Sequence, residues 1–187
     1  MRTFICIEIP KAITERIEAL QRELRQAGAQ VSWTKSTNIH LTLKFLGEVS
    51  PSRIAGVQEA VARAATVTGP FDIEVSGSGC FPSARNPRVL WVGLREVPQE
   101  LKRLQAAIEN ELAGEGFPRE EKKFTPHLTV GRIRSPKNAS RVAEELIAKG
   151  FPSETFRAHE VILMRSELHP AGSIYTPQAV VPLVENV

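Results

Sequence analysis

The chain has 187 residues, 24 Lys and Arg against 21 Asp and Glu, a formal net charge of +3, and 42% apolar content. This composition excludes wholesale disorder. The length fits one domain, or two small lobes sharing a core, with no need of a disulfide or metal staple.

The first element in chain order is a strand over Thr3–Ile9. Glu8 interrupts its apolar run, so the segment reads as a strand and not a signal peptide. No uncharged apolar run reaches the roughly 18 residues of a membrane span. A cytoplasmic protein with no membrane partner is therefore expected, and a monomer. Ile13, Ile17, Leu20 and Leu24 then recur at helical spacing up to Gly28. A strand follows over Ile39–Leu46. Ser50 and Pro51 read as an N-cap and first helical residue ahead of Ile54, Val57 and Val61. Strands are expected at Phe71–Val75 and Val89–Leu94. A third helical stripe is Leu101, Leu104, Ile108 and Leu112, closed by Gly114. A strand over Leu128–Ile133 precedes a fourth stripe, Val142 and Leu146, closed by Gly150. Strands over about Phe156–Met164 and Ile174–Leu183 complete the order. Cys6 and Cys80 lie in apolar stretches, with neither a CxxC nor a Cys/His zinc spacing, and are expected to be reduced, buried thiols.

The order repeats. Aligned on His40-Leu41-Thr42-Leu43 and His127-Leu128-Thr129-Val130, a strand begins 37 and 38 residues earlier and a helical stripe 27 and 26 earlier. A second stripe begins 14 and 15 residues later, and a further strand 31 and about 29 later. This is the pattern of an internal duplication, approximately 1–86 and 87–187, within a single two-lobed domain over 1–187. The expected class is α+β, with two pseudo-symmetric lobes, each an antiparallel sheet with two helices, and a cleft between them. The sequence leaves open whether strands are exchanged between the lobes.

On a strand, residues i and i+2 share a face. His40 and Thr42 therefore point one way and Leu41 and Leu43 the other; His127 and Thr129 are set in the same way against Leu128 and Val130. Under approximate twofold symmetry the two His-Thr pairs face each other across one cleft. Two imidazoles on opposite sides of a phosphorus can serve as base and acid in an in-line displacement. Threonine hydroxyls can hold the non-bridging oxygens. A cyclic phosphodiester suits this layout, and no metal is required. A metal held by His40 and His127 lacks an obvious third ligand. His159 and His169 have no Thr two residues on and read as structural or surface residues. Between Arg119 and Arg141, seven basic residues face two acidic ones, a local charge that brackets the second motif.

These motifs, in their setting, resemble the 2′-5′ RNA ligase family of two-histidine phosphoesterases, whose usual activity is RNA 2′,3′-cyclic phosphodiesterase. The resemblance runs from Arg2-Thr3-Phe4-Ile5 through Trp33 and the block Asn38 to Gly47. It continues through Phe81-Pro82, Pro87 to Trp91 and Phe124 to Arg132, and ends with Leu163 to Leu168, Gly172 and Tyr175. It implies a bilobal α+β fold and opening of a 2′,3′-cyclic phosphate to a 2′-phosphomonoester, with His40 as acid, His127 as base, and Thr42 and Thr129 on the phosphate. It implies no cofactor. The partner it implies is RNA with cyclic-phosphate ends, including tRNA-like fragments, with reversible 2′-5′ joining as a second behaviour.

Three further residues are candidates for substrate binding. Arg132 suits a phosphate, but a regular strand turns it away from His127 unless a strand end or bulge at Gly131 redirects it. Phe45 can stack a terminal base, although its spacing from His40 puts it on the leucine face. Lys44 shares the parity of His40 and is expected to reach phosphate. The competing readings are a non-catalytic RNA-end binding protein and a phosphodiesterase of small cyclic nucleotides or 2′-5′ oligonucleotides.

Overall fold

The computed structural model describes residues 1–170 and 172–184. Strand β1 (Arg2–Glu8) leads into helix α1 (Lys11–Leu24), and short β2 (Val31–Trp33) precedes β3 (His40–Glu48). Helix α2 (Ile54–Ala64), β4 (Phe71–Phe81) and β5 (Val89–Leu94) follow, then α3 (Gln99–Gly114) and β6 (Leu128–Ile133). Helix α4 (Ala139–Lys149), β7 (Glu154–Ala158), β8 (Glu160–Glu167) and β9 (Ile174–Pro182) complete the described chain. The α+β class is that expected. Among these residues no helix is long and apolar enough to cross a membrane.

The helices form where the apolar stripes place them. Ile13, Ile17, Leu20 and Leu24 are buried on α1, and Leu101, Leu104, Ile108 and Leu112 on α3. Two boundary readings are corrected. Ser50 makes no capping bond; its hydroxyl meets Ser52, and Pro51 opens a 3₁₀ turn ahead of α2. Gly114 lies within α3, and Gly116, with φ of 81°, takes the left-handed conformation that ends it. The strand expected near Phe156–Met164 is two strands, β7 and β8. Cys6 is buried as expected, whereas Cys80 is only half-buried, and both are free thiols.

The strands are antiparallel and join in one sheet of order β7-β4-β5-β6-β3-β1-β8-β9, with β2 beside β6. The two separate sheets expected are thus continuous, joined by a single pair, Leu41 with Leu128. On one side of that junction β3 pairs with β1, and β1 with β8. On the other, β6 pairs with β5, and β5 with β4. Strand β4, from the first stretch of chain, therefore lies with β5 and β6, while β8, from the second, lies with β1 and β3. Leu41, Leu43, Leu128 and Val130 are buried in the core with the helix stripes.

Candidate active site

The Leu41–Leu128 pair sets the site. Continuing its antiparallel register puts His40 beside Thr129 and Thr42 beside His127. All four line one cavity of about 420 Å³, with Arg2, Phe45, Arg132 and Tyr175 also in its walls. On the opposite face Leu41 and Leu128 are wholly shielded from solvent, which fixes both strands from below.

Each imidazole is oriented by backbone two residues upstream. His127 Nδ1 lies 2.7 Å from the Thr125 carbonyl, so that nitrogen carries the proton and donates it. The His40 ring is hydrogen-bonded to the backbone of Asn38. Asn38 in turn donates from Nδ2 to the Ser173 carbonyl at 2.8 Å, tying the approach to β3 to the approach to β9. The aromatic packing differs. His40 stacks on Phe4 at 4.6 Å and meets the edge of Tyr175 at 5.3 Å, whereas His127 meets Phe81 edge-on at 5.1 Å. Burial among these rings pushes the His40 pKa down to about 4, and the Asn38 bond offsets only part of that fall. Burial likewise pushes the Tyr175 phenol up, against the lowering effects of Ser173, Arg132 and Arg2.

The three further candidates are re-sorted by two β-bulges. Against β1, Ile5 pairs with Lys44 and Cys6 with Thr42, which leaves Leu43 as the extra residue. The bulge reverses the parity beyond it. Lys44 is turned into the interior and is 6% exposed. Its Nζ donates to Glu109 Oε2 at 2.7 Å and to the Pro118 carbonyl at 2.9 Å. The expected phosphate contact from Lys44 is therefore incorrect. Phe45, expected on the leucine face, is instead 68% exposed and in the cavity wall. On β6, Leu90 pairs with Gly131 and Trp91 with Thr129, leaving Val130 as the extra residue. That bulge carries Arg132 into the cavity, one residue earlier than Gly131, where the sequence had required a break.

Arg2, Thr34 and Phe4 were not singled out as site residues and also line the cavity. Arg2 had a visible signal, a lone charge at the head of an apolar strand. Among the described residues no three His, Cys, Asp or Glu side chains gather as metal ligands.

A family model described as the 2′-5′ RNA ligase superfamily matches residues 9–170. The chain belongs to the 2′-5′ RNA ligase superfamily. A member from Methanothermobacter thermautotrophicus named RNA 2′,3′-cyclic phosphodiesterase is 37% identical over 182 residues, covering 96% of this chain and 97% of its own. A second superfamily member of that name, from Archaeoglobus fulgidus, is 37% identical over 178 residues, covering 94% and 96%. The crystal structure of E. coli LigT complexed with ATP superposes with a TM-score of 0.75 at 26% identity, covering 98% of each chain.

Proposed function

We propose that this protein hydrolyses the 2′,3′-cyclic phosphodiester at RNA ends to a 2′-phosphomonoester. One observation carries the reading: His40, Thr42, His127 and Thr129 line a single cavity. The names of the full-length relatives support it.

The step is an in-line displacement at phosphorus. His127, whose Nδ1 proton is committed to Thr125, has Nε2 free to take a proton from water. The water oxygen bonds to phosphorus, the bond from phosphorus to the 3′-oxygen breaks, and His40 protonates that oxygen. Thr42 and Thr129 donate to the non-bridging oxygens, where charge grows in the transition state. Burial holds His40 neutral at pH 7; an arriving phosphodiester anion favours its protonation. A 5′-hydroxyl in place of water gives a 2′-5′ linkage by the same transfers. The matched motif sites on β3 and β6 support reading 1–86 and 87–187 as a duplicated unit in one two-lobed domain, with 185–187 outside the described residues.

The test uses an RNA oligonucleotide ending in a 2′,3′-cyclic phosphate, with EDTA in excess. The expected product gains the mass of one water and resists a 3′-specific phosphatase. An unchanged cyclic end, or a 3′-phosphate product, overturns the reading.

A further inference from the structure

The cavities around the catalytic pocket differ sharply in charge. One, of about 870 Å³, shares His40 and Tyr175 with the catalytic pocket and lies on the side of β1 and α1. Its wall carries Glu8, Glu15, Glu18 and Glu160. The cations there are already engaged: Lys11 pairs with Glu15 at 3.4 Å and Arg157 with Asp72 at 3.1 Å. A polyanion entering this cavity meets net negative charge.

The other direction is the reverse. Beyond Arg132, the ends of β2 and β6 open into two grooves of about 590 and 460 Å³, both lined by Arg134. Among the described residues lining the catalytic pocket and these grooves there is no Asp or Glu. Arg25, Arg88, Arg132 and Arg134 are all exposed, and none has a carboxylate partner among the described residues. Arg132 pairs across the strands with Ser32, and Arg134 Nη2 donates to the Ser32 hydroxyl at 3.2 Å, which sets the two guanidinium groups along one face. On the other face of β2, Trp33 packs against the core with the Arg25 guanidinium 5.3 Å from its ring centroid, which anchors the strand that carries Ser32. The backbone beneath is held firmly: the Ile133 amide donates to the Arg88 carbonyl at 2.9 Å and the Arg134 amide to the Gln30 carbonyl at 2.8 Å.

We infer that a single-stranded RNA leaves the catalytic pocket over the ends of β2 and β6, its backbone phosphates following Arg132, Arg134 and Arg88, and not through the acidic cavity beside His40. This inference rests on the phosphodiesterase reading for the position of the RNA end. It adds a path for the rest of the strand, and a reason for the enzyme to prefer oligonucleotides over mononucleotides.

The experiment compares a 2′,3′-cyclic mononucleotide with a ten-nucleotide RNA carrying the same end. Arg134→Gln and Arg88→Gln are each expected to raise KM for the RNA about tenfold, the effect of removing one charge-assisted hydrogen bond to a phosphate. The mononucleotide, which does not reach these residues, stays within about twofold. For single strands, removing one phosphate-neutralising arginine flattens the dependence of log(kcat/KM) on log salt by about 0.7. Both side chains are exposed, and an unchanged melting temperature checks the fold. Glu15→Lys, in the acidic cavity, is expected to leave the RNA KM unchanged. An RNA KM unmoved by both arginine variants, or raised equally with that of the mononucleotide, overturns the path. Mononucleotide turnover by the unmodified protein tests the catalytic reading separately. Fluorescence anisotropy with a 3′-phosphate-ended RNA reads the path even without turnover: equal affinity of the arginine variants and the unmodified protein overturns it.

Discussion

His-x-Thr opens β3 and spans the entry to β6, and each strand gains an unpaired residue three positions after its histidine, Leu43 on one and Val130 on the other. From there they part. The next position is Lys44 on β3 and Gly131 on β6. Lys44 is buried and answered by Glu109 of α3, which also accepts from the Glu120 amide at 3.2 Å and from Gln105 at 3.3 Å. Gly131 is empty by necessity: a Cβ there would lie 2.6 Å from Val31 Cγ1 and 3.2 Å from the Trp33 ring. The bulged carbonyl of Val130 accepts from the Thr34 amide at 3.0 Å and from Gln21 of α1, whose Nε2 donates to it at 2.9 Å and to the Thr34 carbonyl at 2.8 Å. One bulge is thus held by a buried ion pair, the other by a buried amide and a close strand contact. Both deliver the fifth residue, Phe45 or Arg132, to the same cavity. The lesson is that the geometry is common to the two strands, while the means of holding it is local.

The largest effects test what the strands share. His40→Ala and His127→Ala should each lower kcat about 10²- to 10⁴-fold, the usual range for a missing proton-transfer group. His127→Ala should keep its melting temperature, while His40→Ala, which also loses the stack on Phe4, should melt lower but stay folded at the assay temperature. Full activity in either variant breaks the equivalence of the two motifs; loss through unfolding leaves the chemistry without support.

The next effects test what differs. Removing one member of a buried ion pair leaves an uncompensated charge, so Lys44→Met should cost about 3–5 kcal/mol in denaturant unfolding. The double change Lys44→Met with Glu109→Leu should recover a large part of that. Gln21→Leu leaves the Thr34 carbonyl without its Gln21 bond and Val130 with only its bond from the Thr34 amide, removes no charge, and should cost less, about 1–3 kcal/mol. If Gln21→Leu is the costlier change, the contrast between ion pair and amide is wrong.

The elements were largely legible from apolar spacing, because β5 and β6 follow from their β-branched runs and the four helices from their stripes. The four motif residues were legible because strand parity holds from His40 to Thr42 and from His127 to Thr129. It fails one residue later, and a bulge has no compositional mark here: Leu43 and Val130 are as apolar as any strand residue. The parity of Lys44 and Phe45 was therefore inverted. The partner that justifies burying Lys44 lies 65 residues away, at Glu109. For Arg132 the condition was legible: regular parity turns it away from His127, so only a strand end or bulge near Gly131 brings it to the cleft. The pairing of β4 with β5 and of β8 with β1 is a long-range choice that no local pattern encodes.

Acid tests the packing of His40 among its aromatic neighbours. With His40 titrating near 4 in the fold and near 6.5 when unfolded, the unfolded chain binds the extra proton between those values. Stability should therefore be full above about pH 6.5, fall as the pH drops toward 4, and level off below it. His40→Gln, which cannot titrate, should flatten that slope in urea melts at successive pH values. A slope unchanged by His40→Gln assigns the acid sensitivity to other groups.

The smallest effect on stability falls where the strands converge again. Phe45 is 68% exposed and its ring centroid lies 6.0 Å from that of Phe4, so Phe45→Ala should change stability by no more than about 0.5 kcal/mol. Its effect should appear on substrate. Stacking one base contributes roughly 1–3 kcal/mol, so the KM of a cyclic-ended RNA should rise about fivefold or more. Stacking involves no counterion release, and that rise should persist across salt concentrations. Arg132→Ala should also raise KM, and if its guanidinium binds a phosphate that effect should shrink as salt rises. Equivalent positions on the two strands would then supply a base contact and a backbone contact to one RNA end. If both variants show the same salt dependence, Phe45 and Arg132 are not divided between base and phosphate.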